Sequence, residues 1–133
     1  MSKDFVATAR RVLELEARTL TELVATVDGT FSEACERLLG CRGRVIVTGM
    51  GKSGHIGNKI AATLASTGTP SFFVHPAEAS HGDLGMITSD DAVIALSNSG
   101  ETAEVLTILP VIKRKGATLI GITGRADSTL ARL

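Results

Sequence analysis

The chain of 133 residues is 44% hydrophobic and 21% charged, a composition that suits one globular domain with its own core. Its 14 basic residues balance 14 acidic ones, so net charge favours neither nucleic acid nor an anionic membrane as a partner, and a bound phosphate would need a local site. No apolar run is long enough to span a membrane, and the N-terminus is charged where a signal peptide is apolar. The two cysteines suit neither a metal site nor a disulfide framework. We therefore expect a cytoplasmic protein.

The first 40 residues predict two helices. From Phe5 to Val27 apolar residues recur at helical spacing without a proline, which predicts a long amphipathic helix. Thr30 and Glu33 form the pattern of a capping box, which predicts a second helix that ends near Gly40. Because the apolar stripe is wider than a small sheet can cover, we expect residues 1–40 to pack on the following domain and on a partner subunit. A homo-oligomer follows, with a tetramer favoured over a dimer.

Residues 41–133 alternate short apolar runs with segments of helical length, the β-α-β-α pattern of a parallel sheet. Runs that are apolar on both faces belong inside such a sheet, so we expect a doubly wound, flavodoxin-like α/β fold. Pro110 is expected to kink the last full helix, and a further helix that begins near Asp127 is expected to be cut short at Leu133. The predicted strands and helices are Arg44–Thr48, Ser53–Ser66, Ser71–Val74, Ala92–Ser97, Thr102–Lys115 and Thr118–Thr123.

A glycine-rich turn, Gly49–Gly54, follows the first predicted strand and matches the G-x-G-x-x-G pattern of dinucleotide folds. The acid that such a site needs after the second strand is missing, because Val74-His75-Pro76 stands there. A P-loop is excluded, since Ile46 occupies the position of its first glycine. What remains is a tight turn at the edge of the sheet with Lys52 beside it, either at a ligand site or as a solvated side chain.

A second polar turn, Ser97–Thr102, joins the third strand to the next helix. Its hydroxyls and the N–H groups of a helix N-terminus would form an uncharged cradle for a phosphate dianion. The alternative is that Ser99 only caps the helix. Glu104 lies one turn inside the same helix.

A third polar segment, Val74–Gly85, carries two histidines and two acids at the same edge of the sheet. It is a candidate for substrate contact or metal binding, although its spacing fits no standard metal motif, and a solvated loop is the alternative. His55 is interpreted as a structural or surface residue.

Three segments together carry a family resemblance: GMGKSGHIG (Gly49–Gly57), STGTPSFFVHPAEASHGDLG (Ser66–Gly85) and SNSGETAE (Ser97–Glu104). In this order they resemble the SIS (sugar isomerase) family, and within it the arabinose 5-phosphate isomerases. The resemblance extends from Phe5 to the last residue. It implies an aldose–ketose isomerase without a cofactor that interconverts D-ribulose 5-phosphate and D-arabinose 5-phosphate for the 3-deoxy-octulosonate of lipopolysaccharide.

The resemblance also implies roles for individual residues. Ser97, Ser99 and Thr102 match the phosphate-binding turn, Lys52 and Glu104 match positions linked to catalysis, and His75 matches a position where inhibitory zinc can bind. Further predicted substrate-binding positions are Gly51, Ser53, Gly68, Thr69, His81 and Asn98. The family pattern continues with a later glutamate, a later histidine and a pair of cystathionine-β-synthase-type domains, so we expect this chain to be an incomplete and inactive domain. A non-catalytic regulatory module that binds phosphosugars is the alternative function.

Overall fold

The computed structural model describes residues 4–80 and 82–133, which divide by their contacts into one unit that ends at Cys35 and another that begins at Glu36. The first unit holds α1 (Phe5–Val24) and most of α2 (Gly29–Leu39). Helix α1 ends three residues earlier than predicted, and none of its residues is buried. Of the helices within the described residues, none is long and apolar enough to cross a membrane.

The start of α2 differs from the predicted capping box. Asp28 supplies the cap, because its Oδ1 accepts hydrogen bonds from the N–H of Thr30 at 2.9 Å and from the Thr30 hydroxyl at 2.7 Å. These bonds lower the pKa of Asp28. Thr30 therefore lies inside the first turn, and the prediction that it opens the helix is wrong.

The second unit contains a parallel sheet whose strands are β1 (Val45–Gly49), β2 (Ser71–Phe73), β3 (Ala92–Leu96) and β4 (Thr118–Ile122). The strand order is β2-β1-β3-β4, which confirms the predicted α/β fold. The two central strands pair along their whole length, from Val45 opposite Ala92 to Gly49 opposite Leu96. The segments that follow Gly49 and Leu96 therefore leave the sheet side by side.

Helices cover both faces of this sheet, as a doubly wound fold requires. They are α3 (Gly51–Ser66), α4 (Pro76–Ser80), α5 (Ala103–Arg114) and α6 (Thr129–Arg132). Alternate residues of β1 point to opposite faces: Val45 and Val47 pack with Ala61 of α3, whereas Ile46 packs with α5 residues such as Ile108. Because α3 and α5 leave the central strands on opposite faces, their loops diverge and open a crevice at the edge where the strands end, here called the carboxyl edge.

The segment between β2 and β3 differs from the sequence prediction. The polar segment after β2 folds into α4 and a 3-10 turn, Asp83–Met86, instead of an open loop. Helix α5 contains Pro110 and continues to Arg114, and the expected kink stays a prediction. Both elements pack on the same face of the sheet, where Ala79, Val105 and Ile108 join one buried cluster.

The opposite edge of the sheet is held by a buried carboxylate. Asp91 accepts hydrogen bonds from the N–H of Arg44 at 2.7 Å and from the N–H and hydroxyl of Thr88 at 2.8 and 3.0 Å. Burial raises the pKa of Asp91, but these bonds and the Arg44 guanidinium outweigh burial and hold it below its usual value. Asp91 thus joins the starts of β1 and β3.

Candidate functional site

The turn between β3 and α5, residues Ser97–Thr102, is here called the serine turn. Ser97 is buried, and its Oγ lies 2.8 Å from the Thr102 Oγ1 and accepts the N–H of Gly100 at 3.0 Å. The Ser99 Oγ accepts the N–H of Glu101 at 3.2 Å. Side-chain hydroxyls therefore close a compact turn at the carboxyl edge of the central strand pair.

Two helix N-termini beside the central strands lack side-chain caps. In α3 and α5 the residues at the cap positions, Met50 and Thr102, make no capping hydrogen bond through their side chains. By contrast, Asp4 caps α1 and Ser128 caps α6. Ser99 does not cap α5, since its hydroxyl binds an N–H that precedes the helix. The N-termini that follow β1 and β3 keep N–H groups suited to an anion.

A cavity of about 260 Å³ opens next to the serine turn. Ser53, from the first turn of α3, lines it together with Ser97 and Asn98, so the glycine turn and the serine turn share one space. The remaining wall comes from the ends of β3 and β4. The complete lining is Ser53, Leu96, Ser97, Asn98, Ile122, Thr123 and Gly124.

The end of β4 and the segment after it hold the backbone of the serine turn by hydrogen bonds. The N–H of Ser97 donates to the Ile122 carbonyl, and the N–H of Gly124 donates to the Asn98 carbonyl, each at 3.0 Å. The N–H of Leu130 reaches the carbonyl of Gly100 at the same distance. The backbone of the turn is therefore fixed by residues more than 20 positions away.

Lys52 and Glu104 lie in the first turns of α3 and α5, at the same edge as the serine turn. Both side chains are exposed, and neither makes a hydrogen bond or ion pair with another described residue. One positive and one negative group are thus accessible beside the crevice. Such a pair can stabilise negative charge on a substrate oxygen and move a proton.

A second cavity, of about 280 Å³, lies on the other side of the glycine turn. His75 is half-buried there, and its Nδ1 accepts the N–H of Ala77 at 3.3 Å, which leaves Nε2 as the atom for a metal. His55 lines the same cavity and is exposed, which agrees with its interpretation as a structural or surface residue. The lining is Gly51, Gly54, His55, Asn58, Phe73 and His75.

For the metal site predicted at His75, the lining of this cavity offers His55 as a second candidate ligand. Within residues 4–80 and 82–133, no three side chains of the metal-ligating types come together. Two histidines alone fall short of the three protein ligands that hold zinc in most sites. His81, also predicted to contact substrate, lies outside the described residues.

The family assignment follows from comparison with known proteins. A SIS domain model matches residues 38–133, which include every strand of the sheet and both turns described above. The chain belongs to the SIS domain family.

Relatives of this SIS domain carry named activities. It is 64% identical over 129 residues to the arabinose 5-phosphate isomerase KdsD of Pseudomonas aeruginosa and 57% identical to that of Escherichia coli K12. The match covers 97% of this chain, but only 40% and 39% of those two proteins. A solved protein of Escherichia coli CFT073, in complex with arabinose 5-phosphate, superposes with a TM-score of 0.93 at 46% identity, covering 99% of this chain and 71% of that one.

Two predicted substrate-binding residues of the SIS domain lie far from the serine turn. Gly68 and Thr69 follow the end of α3, where the N–H of Thr69 donates to the Leu64 carbonyl at 2.9 Å. Helix α3 has 16 residues and is therefore about 24 Å long, so it carries the chain from the carboxyl edge to the opposite edge. The structure does not bring this pair to the serine turn within one chain, and their role stays a prediction.

Sequence reasoning missed Thr123 and Gly124, which line the first cavity of the SIS domain. A signal was present in the sequence, because they directly follow the fourth predicted strand. In a parallel sheet, residues at that position reach the same edge as the turns after the other strands. The Thr123 hydroxyl also donates to the Asn98 carbonyl at 3.3 Å, so this pair joins the serine turn.

Proposed function

We propose that this SIS domain binds a phosphosugar at the serine turn and belongs to an isomerase that interconverts D-ribulose 5-phosphate and D-arabinose 5-phosphate. The observation that carries the proposal is the serine turn itself, with a buried Ser97 hydroxyl and the uncapped N-terminus of α5 at the point where the sheet reverses its winding. The named activity of relatives that are 57–64% identical supports the choice of sugar.

The serine turn suits a phosphate because it can bind a dianion through local hydrogen bonds. The chain carries equal numbers of acidic and basic residues, so its net charge supplies no long-range attraction for a dianion. Hydroxyls and helix N–H groups provide such bonds without a fixed positive charge. The phosphate would occupy the 260 Å³ cavity beside Ser97 and Asn98.

Isomerisation of the bound sugar requires one proton to leave C2 of the aldose and one to reach C1 through an enediolate. Glu104 is exposed in the first turn of α5 and is the proposed base or proton shuttle. Lys52 is the proposed partner of the negative oxygens of the enediolate. Both residues lie at the edge of the sheet where the phosphate would anchor the substrate. The product would feed the lipopolysaccharide sugar that the family resemblance implies, and the predicted cytoplasmic location stays a prediction.

The activity can be tested by placing this chain in a working enzyme. The chimera replaces the matching 129-residue segment of the Pseudomonas aeruginosa isomerase with the corresponding residues of this chain. We expect it to convert D-ribulose 5-phosphate to the aldose, and we expect Lys52→Ala or Glu104→Gln to reduce kcat by at least about a hundredfold while changing phosphosugar binding little. The unmodified isomerase is the control.

Two results would contradict parts of the proposal. A folded chimera that fails to bind D-arabinose 5-phosphate would remove the phosphosugar assignment. A chimera that binds the sugar without turnover would favour the non-catalytic regulatory module over the isomerase.

A further inference from the structure

Glu101 occupies an unexpected place for an acid, because it lies inside the serine turn between Gly100 and Thr102. A carboxylate beside a bound phosphate dianion would repel it. In the structure, the Glu101 Oε1 instead accepts the N–H of Thr129, the first residue of α6, at 2.7 Å. Hydrogen bonds from the backbone and side chain of Thr129 lower the pKa of Glu101, and Arg132 and Arg125 lower it further.

The start of α6 is a rigid anchor for this contact. Ser128 is fully buried, and its Oγ accepts the N–H of Ala131 at 3.3 Å. Leu130 is 4% exposed and packs in the same cluster as the buried face of α5. Its N–H binds the carbonyl of Gly100, so two consecutive residues of the serine turn are tied to consecutive residues of α6.

We propose that Glu101 is a positioning residue for phosphate binding. By accepting the N–H of Thr129 it holds the serine turn in the conformation that brings its hydroxyls together, and it directs its own negative charge toward α6. This inference rests on the proposed function, because it assumes that the turn receives a phosphate. It concerns two residues 28 positions apart, a pairing that no local motif reveals.

Four variants separate the hydrogen bond from the fold. Glu101→Ala removes the acceptor, whereas Glu101→Gln keeps an oxygen in the same place. Thr129→Pro removes the donor at a position that suits proline, since it is the first residue of a helix and Ser128 before it is already extended, with φ −75° and ψ 163°. Asp127→Ala is the matched control, because that carboxylate pairs with Arg125 and not with the serine turn.

The experiment titrates the full chain with D-arabinose 5-phosphate and, separately, with inorganic phosphate, using NMR chemical shifts. We expect Glu101→Ala to weaken both ligands about tenfold, the scale of one charged hydrogen bond. Thr129→Pro should weaken them at least as much, because it leaves the carboxylate unpaired, whereas Glu101→Gln should stay within about threefold of the parent. The double variant Glu101→Ala/Thr129→Pro should be no weaker than the weaker single variant, since both changes remove one interaction. Melting of the ligand-free proteins should be nearly unchanged.

The outcomes distinguish this inference from the proposed function. If the parent chain binds both ligands and Glu101→Ala binds them equally well, the positioning role is wrong while the phosphate site stands. The same holds if Glu101→Gln is as weak as Glu101→Ala, or if the losses in the double variant multiply. If the parent chain binds neither ligand, the proposed function fails, and the inference fails with it.

Discussion

Gly100 is the residue whose substitution tests most directly how the serine turn is held. It has φ +66°, and a Cβ added to it would overlap the Oγ and Cβ of the buried Ser128 and lie 2.9 Å from the Thr123 Oγ1. A left-handed alanine costs about 1–2 kcal/mol, and overpacking against a buried group costs about 1–3 kcal/mol more. We therefore expect Gly100→Ala to reduce the free energy of unfolding by about 2–5 kcal/mol.

The matched control is Gly116→Ala at the other end of α5. Gly116 also has a positive φ, +79°, but its added Cβ would meet only the Ser89 Cβ at an ordinary 3.5 Å, so we expect a loss of about 1–2 kcal/mol. The chain has no tryptophan or tyrosine, so urea unfolding is followed by far-UV circular dichroism. Equal losses for the two variants would refute the packing of Ser128 and Thr123 behind the turn.

Two further predictions concern regions away from the serine turn. Asp91→Asn should lower the free energy of unfolding by about 2 kcal/mol, because an amide NH₂ offers no acceptor to Thr88. Since the pKa of Asp91 is lowered in the folded state, the ionised carboxylate stabilises the fold above about pH 4, and this contribution is lost as pH falls further. The free energy of unfolding of Asp91→Asn should therefore depend less on pH in acid than that of the parent. The same pH dependence in both proteins would contradict this. Leu13 and Leu20 of α1 are 64% and 65% exposed. We expect the parent chain to be a homo-oligomer and Leu13→Glu/Leu20→Glu to be a smaller species, as measured by light scattering. A parent chain that is already monomeric would refute the predicted interface.

The sheet could be predicted because its strands carry a strong local signal. Strand β1 presents apolar residues to both faces of the sheet, namely Val45, Ile46 and Val47, and β3 does the same. A short apolar run of this kind between turns is typical of a buried parallel strand. The strands and the helices α3 and α5 were located to within two residues. The serine turn was also predicted as a unit, since serines and glycine before a helix form a recognisable local pattern.

Contacts between distant segments could not be predicted from such patterns. Asp28 caps the N-terminus of α2 instead of Thr30. Several nearby polar residues are able to cap this helix, and the conformation of the backbone decides which of them does so. The bonds of Asn98 to Thr123 and of Glu101 to Thr129 join residues 25 and 28 positions apart, so no local pattern reveals them, although a helix was predicted over Asp127–Leu133. The short α4 was missed since five residues are too few to show a helical period.

The most direct test of the phosphate site is a calorimetric titration of Ser97→Ala/Ser99→Ala with D-arabinose 5-phosphate. The matched control, Ser66→Ala/Ser89→Ala, removes two hydroxyls that lie away from the carboxyl edge, and unphosphorylated D-arabinose is the control ligand. We predict that the control variant binds the phosphosugar like the parent, that D-arabinose does not bind, and that the serine-turn variant loses measurable binding while its circular dichroism is unchanged. Unchanged affinity in the Ser97/Ser99 variant would contradict the assignment of the serine turn as the phosphate site.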